Sequence, residues 1–283
     1  MAQSRASLRI GTRGSPLALV QARMVRSRLA AAAGLEEGAI ELLVIRTTGD
    51  TIQDRTLAEE GGKGLFTKEI EEALLEGRVD LAVHSAKDMT STDIDGLAVG
   101  AYTRREDPRD ALCGAGAVRP GMRIGTASAR RRAQLLALEP TLSVEPLRGN
   151  IDTRLRKRGE RDLDAVMLAA CGLDRLGLEG EIGLRLDPGV MLPEAGQGAL
   201  ALQVRVGEEE LVARVDDGPT RDQVEAERAC VALVGGGCLA PVAAYHNGEV
   251  LTALVAAEDG SWLERRSGTD PAALAAELVA LSR

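Results

Sequence analysis

The chain has 283 residues, enough for two or three domains, and a formal net charge of −8. Aromatic residues make up only 1%, so aliphatic side chains must build the cores, which favours α/β layers. The acidic balance and the scarcity of stacking aromatics argue against a nucleic-acid partner. No apolar run approaches the ~18 residues of a membrane span, and no leader pattern opens the chain, so we expect a cytoplasmic protein without a membrane partner.

The first hundred residues predict strands and helices in alternation. Ser15 and Pro16 are typical of a helix N-cap followed by the first helical position, and Gly77 is typical of a helix end. The predicted elements are a strand at 8–10, a helix from 16 to about 29, a strand at 41–45, a helix at 64–76 and a strand at 79–83.

A similar plan returns further along the chain. Ile-Gly-Thr at 124–126 repeats the Ile-Gly-Thr at 10–12, and a serine that can cap a helix follows each. This echo predicts two α/β domains of related build that face each other across a cleft. The later predicted elements are a helix from 128 to about 138, a strand at 142–147, a helix capped by Asn150, a strand at 165–169 and a closing helix at 271–281. A polar stretch around Gly218-Pro219 indicates a boundary before a small third domain.

Arginines concentrate in residues 119–132 and 148–161 of this acidic chain, which points to small polyanionic ligands. The motifs at 125–131 and 147–154 place hydroxyls, backbone N–H groups and guanidinium forks at helix starts, where carboxylates or phosphates bind. A solvated basic face is the alternative, and we interpret residues 156–161 in that way. Cations at a helix start oppose the helix dipole unless an anion is present, which favours a ligand site.

The four cysteines lack CxxC spacing and only two histidines are present, so neither a disulfide framework nor a zinc site is expected. Cys238 follows three glycines and precedes Pro241 by three positions. A thiol at such a loop tip can serve as a covalent attachment point. The alternative is a glycine turn with an incidental buried cysteine.

Residues 83–88, Val-His-Ser-Ala-Lys-Asp, leave the carboxyl end of a predicted strand, where open α/β sheets place their ligands. The residue types suggest proton transfer and anion contact, with a solvated turn as the alternative. Residues 61–66, Gly-Gly-Lys-Gly-Leu-Phe, lack the spacing of a phosphate loop, so we expect a segment that closes over the cleft and no nucleotide site.

Together these motifs resemble the hydroxymethylbilane synthase (porphobilinogen deaminase) family along nearly the whole chain. The stretches that carry the resemblance are 11–19, 61–66, 83–88, 104–111, 125–131, 147–150, 196–198, 225–228 and 236–238. Any one of them could arise by chance, but their order and spacing together are specific. Departures are few: Glu59 stands where some relatives carry lysine, Met89-Thr90 replaces Val-Pro, and Ala127 replaces serine.

The resemblance implies two α/β domains like those of periplasmic binding proteins, which flank a cleft, plus a small α+β C-terminal domain. It places domain 1 at 1–101 plus 196–215, domain 2 at 102–195 and domain 3 at 216–283. It also implies a monomeric transferase of porphyrin, haem and other tetrapyrrole biosynthesis. The enzyme would deaminate four porphobilinogens, join them head to tail on a dipyrromethane cofactor, and release hydroxymethylbilane by hydrolysis.

The resemblance also assigns roles to single residues. Asp88 matches the catalytic carboxylate, and Cys238 matches the cysteine that holds the cofactor by a thioether. The other expected cofactor-binding residues are Ser85, Lys87, Thr126, Ser128, Arg130, Arg131, Arg148, Gly149 and Gln197, and the expected substrate-binding residues are Arg13, Ser15, Lys63, Phe66, Arg154 and Arg175. The cleft would receive about a dozen carboxylates, which only a dense set of cationic forks and N–H groups can offset. A non-catalytic anion-binding module of solute-binding type is the alternative function.

Overall fold

The computed structural model of the chain describes residues 8–47, 67–90, 94–235 and 241–281. The chain forms two compact units, one made of Met1–Arg104 with Ala199–Arg221 and the other of Arg105–Gly198 with Asp222–Arg283. Each unit contains a mixed sheet and helices, which confirms the α/β class. The division into three domains stays a prediction.

The described residues form seven helices and thirteen strands. The helices are α1 (Pro16–Ala33), α2 (Lys68–Leu75), α3 (Ala129–Leu138), α4 (Ile151–Glu160), α5 (Ala170–Arg175), α6 (Gly218–Val234) and α7 (Pro271–Leu281). The strands are β1 (Leu8–Thr12), β2 (Ile40–Val44), β3 (Leu81–Ser85), β4 (Leu97–Tyr102), β5 (Asp110–Cys113), β6 (Arg123–Gly125), β7 (Ser143–Glu145), β8 (Ala165–Ala169), β9 (Ile182–Arg185), β10 (Leu200–Arg205), β11 (Val242–His246), β12 (Leu251–Ala256) and β13 (Leu263–Gly268).

The sheet of the first unit has the order β2-β1-β3-β10-β4. Strands β1, β2 and β3 are parallel, and β10 runs antiparallel to both β3 and β4. Helix α1 begins as predicted, because the Ser15 side chain accepts a hydrogen bond from the N–H of Ala18 and Pro16 occupies the first turn. It ends at Gly34, whose left-handed φ of 67° lets its N–H reach the last carbonyls.

The main sheet of the second unit repeats that plan in the order β7-β6-β8-β5-β9. Three parallel strands, β6, β7 and β8, again adjoin an antiparallel strand, β5, which also pairs with β9. The Ile-Gly-Thr echo therefore does mark two sheets of related topology. The same unit contains an antiparallel sheet in the order β11-β12-β13, and α7 packs on it through Leu274 and Leu278.

Two predicted elements, β8 and α7, have the bounds that the sequence indicates. The prediction of a strand at 79–83 is wrong by two residues. The N–H groups of Gly77, Arg78 and Val79 bond to carbonyls of α2 and complete its C-terminal turn, so the strand starts later. Gly218 and Pro219 open the long helix α6 and do not end an element. No helix within the described ranges has the length and apolarity to span a bilayer.

Candidate functional site

The first unit gathers polar side chains at the carboxyl ends of β1 and β3. These strands pair in parallel, with Gly11 opposite Ala82, so Arg13 and Ser85 follow at the same sheet edge. Ser15 stands beside them as the N-cap of α1. A helix N-terminus and a cation at one edge form a site that favours anions.

Asp88 and Lys87 lie in a single 3₁₀ turn, Ala86–Asp88, that follows β3 directly. The backbone N–H of Ala86 donates to the carbonyl oxygen of Ala199 at 3.1 Å, which holds the start of the turn. Both charged side chains are half-buried, while Ala86 between β3 and them is fully buried. The turn therefore presents a carboxylate and an ammonium group next to each other at the predicted edge.

His84 is the last fully enclosed polar residue of β3, with 5% exposure. Its Nε2 lies 3.1 Å from Oε1 of Gln203 on β10. Burial lowers the pKa of His84 to about 4, the bond to Gln203 opposes this, and the charge of Arg13 lowers the pKa further. His84 is therefore neutral at physiological pH and does not act as a cation at this edge.

In the second unit, Thr126 and Ser128 shape the start of α3 after β6. The Thr126 hydroxyl accepts from the N–H of Ser128 at 3.2 Å, and the Ser128 hydroxyl accepts from the N–H of Arg131 at 3.4 Å. Both hydroxyls therefore accept backbone N–H groups at the N-terminus of α3, where the sequence predicts them.

Arg130 and Arg131 converge on one buried carboxylate, Asp110, at the first position of β5. Nη1 of Arg130 donates to Oδ2 at 2.7 Å, and Nη2 of Arg131 donates to Oδ1 at 2.7 Å. Nε2 of Gln197 also donates to Oδ1, at 3.0 Å. Three of the predicted cofactor-binding side chains are thus bound to a single residue, and the guanidinium groups of both arginines are almost completely buried.

Two guanidinium groups share the carboxylate of Asp110, so these three groups carry a formal charge of +1, and the charge of Glu194 also acts on Arg130. Burial alone would raise the pKa of Asp110, but Arg130 and Arg131 outweigh burial and hold that pKa well below its usual range. Nε of Arg130 is buried and has no hydrogen-bond partner. A buried excess of positive charge is stabilised by an additional anion, so the cluster suits a carboxylate ligand.

Arg148 and Gly149 precede α4. Gly149 has a positive φ of 118°, and a Cβ on this residue would lie only 2.7 Å from the Thr153 side chain. Nε of Arg154 donates to the Gly149 carbonyl at 2.7 Å. Asn150 occupies the predicted N-cap, but its side chain makes no capping hydrogen bond. The second predicted helix start is therefore present, with Gly149 required by its backbone.

Arg175 ends α5, at the edge that continues from the carboxyl end of β8. Its side chain is 3% exposed, and its Nε donates to Glu106 at 2.7 Å while Nη2 donates to the Gly198 carbonyl at 2.8 Å. Through these two contacts Arg175 links Glu106 to Gly198. A direct substrate contact by Arg175 stays a prediction.

The basic stretch at 156–161 is only partly the solvated face that the sequence predicts. Arg156 is 61% exposed and pairs with Glu160 on the same helix. The Arg158 side chain instead packs over Gly114, so that a Cβ on that glycine would meet it at 2.5 Å. The prediction is right for Arg156 and wrong for Arg158.

Three residues of the predicted site, Lys63, Phe66 and Cys238, lie outside the described residues, as does the predicted loop at 61–66. The other cysteines, Cys113, Cys171 and Cys230, are buried with free thiols. Burial raises the pKa of Cys113 and of Cys230 to about 11, so both thiols are protonated at neutral pH.

Comparison with known proteins gives the family. Residues 8–213 match the family model described as porphobilinogen deaminase, dipyromethane cofactor binding domain. The chain belongs to the porphobilinogen deaminase family. Porphobilinogen deaminases of Roseiflexus castenholzii and Brevibacillus brevis are 47% and 44% identical to it, over 97% and 96% of this chain and 95% and 92% of theirs. That of Roseiflexus sp. strain RS-1 is 46% identical over 96% of this chain and 94% of its own.

Solved structures with partial similarity include a TRAP periplasmic solute binding protein from Desulfovibrio salexigens, with a TM-score of 0.44, 8% identity, and coverage of 74% of this chain and 72% of that one. Another is the VFT2 domain of BvgS from Bordetella pertussis, with a TM-score of 0.43, 15% identity, and coverage of 75% and 87%.

Asp110 binds Arg130, Arg131 and Gln197, a role that the sequence of this porphobilinogen deaminase family member does not predict. The residue stands in the quoted stretch 104–111, yet nothing local distinguishes it from the acidic residues around it. Its role follows only from the sheet, where Asp110 pairs with Ala169 at the carboxyl end of β8 and so faces the helix that carries Arg130 and Arg131.

Proposed function

We propose that this chain is a hydroxymethylbilane synthase that uses Asp88 as its catalytic carboxylate and Cys238 as its cofactor attachment point. It is a transferase that deaminates four porphobilinogens in turn, links them head to tail, and releases the linear tetrapyrrole by hydrolysis. The observation that carries this is membership of the porphobilinogen deaminase family across nearly the whole chain. The anion-binding module is not favoured, because relatives at this identity and coverage are named as porphobilinogen deaminases.

The side chains of the second unit fit a dipyrromethane, whose acetate and propionate groups are anionic. The cluster of Arg130, Arg131 and Asp110 has an excess positive charge, and the starts of α3 and α4 point N–H groups to the same sheet edge. We assign the cofactor carboxylates to these residues, together with the other members of the predicted set: Ser85, Lys87, Thr126, Ser128, Arg148, Gly149 and Gln197. When bound, the cofactor supplies the free pyrrole carbon to which the first substrate unit is joined.

Each substrate unit brings two further carboxylates, which need their own cationic partners. We assign Arg13, Ser15, Arg154 and Arg175 to this role, along with Lys63 and Phe66. Support comes from the position of Arg13 and Ser15 at the edge that also carries Asp88. A guanidinium fork binds a carboxylate through two parallel hydrogen bonds, which orients the substrate as well as neutralising it.

Asp88 acts on the substrate nitrogen. Loss of ammonia requires a protonated leaving amine and leaves a cation that is delocalised onto the pyrrole nitrogen. A carboxylate held near that nitrogen stabilises the cation, and it can accept the proton released when the next ring has been joined. The half-buried position of Asp88 in the short turn strengthens its electric field relative to that of a fully solvated carboxylate.

Cys238 is the cysteine best suited to form the thioether. The three other thiols are buried, and two of them are held in the protonated form by burial. Because the thiolate is the nucleophile, these thiols react slowly. The glycines at 235–237 leave room for a bulky adduct on the cysteine that follows them.

We also propose that the enzyme is a cytoplasmic monomer, with porphobilinogen as its only partner. The resemblance to the family supports this, and the acidic net charge of −8 disfavours nucleic acid. Light scattering coupled to gel filtration tests the monomeric state, since a monomer should have a molar mass close to the 29.8 kDa of the chain.

Incubation of the purified protein with porphobilinogen tests the function as a whole. Hydroxymethylbilane, and the uroporphyrinogen into which it cyclises with loss of water, should form with release of ammonia. Protein that consumes no porphobilinogen and carries no covalent adduct would contradict the proposal.

A further inference from the structure

Three buried polar side chains form a continuous line inside the first unit. Glu71 on α2, Gln203 on β10 and His84 on β3 are 7%, 4% and 5% exposed. Nε2 of His84 lies 3.1 Å from Oε1 of Gln203, and the Gln203 side chain is close enough to Glu71 to lower the pKa of its carboxyl group, against the larger effect of burial. The line ends at the residue that directly precedes Ser85 and the turn that carries Asp88.

The chemistry of the three groups fixes how they are oriented. Burial raises the pKa of Glu71 while Gln203 lowers it, and an amide lowers the pKa of a carboxyl group when its N–H₂ faces that group. The oxygen of the same amide then faces His84 and requires a donor there. His84 is neutral because its pKa is lowered to about 4, so a single ring proton is available, and it must reside on Nε2. Nδ1 is left as the acceptor.

We propose that Gln203 is a positioning residue, which locks His84 in the neutral Nε2–H tautomer and so fixes the end of β3 that leads into the catalytic turn. This assignment rests on the proposed function of Asp88. The backbone ladder alone does not hold the ring, since Ala201 pairs with His84 while Gln203 pairs with Ala82, two residues further along the strand. The hydrogen bond from His84 to the Gln203 side chain fixes the orientation of the ring, one residue before β3 ends at Ser85.

The nature of residue 203 matters as much as its presence. Leucine would remove the hydrogen bond to His84 and leave the buried N–H of the ring unsatisfied, so the orientation of the ring would no longer be fixed. Glutamate would still accept the proton on Nε2, but it would place a second carboxylate against Glu71 and favour the imidazolium form of His84. Leucine thus tests the effect of the His84 tautomer, and glutamate tests the effect of an added negative charge beside His84.

Nitrogen NMR of the imidazole rings tests the proposal, because the chain contains only two histidines. Spectra of a His246→Gln variant assign the signals. We expect His84 of the wild type to be the Nε2–H tautomer throughout the pH range 6–8. Gln203→Leu should give Nδ1–H or a mixture, and Gln203→Glu should restore the proton on Nε2 with a raised pKa. A wild-type His84 in the Nδ1–H form would overturn the proposal.

Kinetics of the same holoenzymes link the tautomer to catalysis. Small displacements of a catalytic group cost roughly 10- to 100-fold in rate, so Gln203→Leu should lower kcat by about tenfold, with little change in KM and with its covalent cofactor retained. Gln21→Leu, which removes another buried glutamine of the first unit, is the matched control and should leave kcat and the His84 signals unchanged. Unchanged kcat in Gln203→Leu despite an altered tautomer would overturn the positioning role. Absence of the covalent adduct from the wild type would instead contradict the proposed function, whatever the tautomer.

Discussion

Arg131 donates two hydrogen bonds to the same carboxylate oxygen of Asp110, from Nε at 3.0 Å and from Nη2 at 2.7 Å. Its Nη1 donates to the Met167 carbonyl at 3.0 Å, so all three nitrogens are engaged. The guanidinium group of Arg131 is therefore fixed by buried protein groups before any ligand arrives. A fixed cation loses little conformational entropy when it binds an anion, which suits a permanently bound cofactor.

Arg148→Leu should impair assembly of the holoenzyme. Removal of a guanidinium group that faces a poorly solvated carboxylate costs about 2–5 kcal/mol. Arg156→Leu is the matched control, since Arg156 is 61% exposed and pairs with Glu160 on its own helix. Mass spectrometry of both variants should find the covalent adduct depleted in Arg148→Leu and complete in Arg156→Leu. Equal adduct content in the two variants would show that Arg148 does not face the cofactor.

Asp88→Asn should lower turnover by at least ~10²-fold, as is typical when a positioned acid–base group is lost. Asparagine keeps the shape of the side chain but neither stabilises the cation nor transfers a proton. Asp88→Glu keeps the charge and should retain more activity. The measurement is steady-state formation of hydroxymethylbilane, with the cofactor content of each variant checked by mass. Near-normal turnover in Asp88→Asn would rule out this residue as the catalytic carboxylate.

The stability of the protein should depend on pH through His84. Its pKa is lowered from 6.5 to about 4 in the folded protein, so between these values the unfolded chain binds a proton that the folded chain does not. Stability from this group is fully present above about pH 6.5 and is lost as the pH falls towards 4, by up to roughly 3 kcal/mol. Burial raises the pKa of Glu71, which contributes with the opposite sign.

Comparison with His84→Gln isolates this contribution, since the variant retains Glu71. Urea unfolding at pH 7.5 and pH 5 should show a smaller loss of the free energy of unfolding on acidification for His84→Gln than for the wild type. Equal losses in the two proteins would mean that His84 is not held neutral by its surroundings.

The sequence predicts those parts of the fold that depend on local patterns. The unbroken apolar run of β8 and the alanine- and leucine-rich α7 are found with their predicted bounds, and Ser15 and Ser128 cap the helices that they were expected to cap. Gly218-Pro219 opens a helix, α6, and the domain boundary predicted around it stays a prediction.

Contacts between distant residues could not be predicted in this way. Asp110 meets Gln197 across 87 positions, and His84 meets Gln203 across 119. His84 and Gln203 lie on β3 and β10, antiparallel neighbours whose order in the sheet does not follow their order in the chain, whereas Gln197 lies in a turn that precedes β10. The motifs therefore indicate which residues to assign to the candidate site, but not the buried partners that orient them.

The mass of the intact, denatured protein tests the central claim most directly. The wild type should exceed the mass of its sequence by that of a dipyrromethane joined through a thioether, and a thiol reductant should not release the excess. Cys238→Ser should fold but have the bare sequence mass and almost no activity, whereas Cys171→Ala, the matched control, should retain the adduct. A wild type at its sequence mass, or a full adduct on Cys238→Ser, would contradict the account.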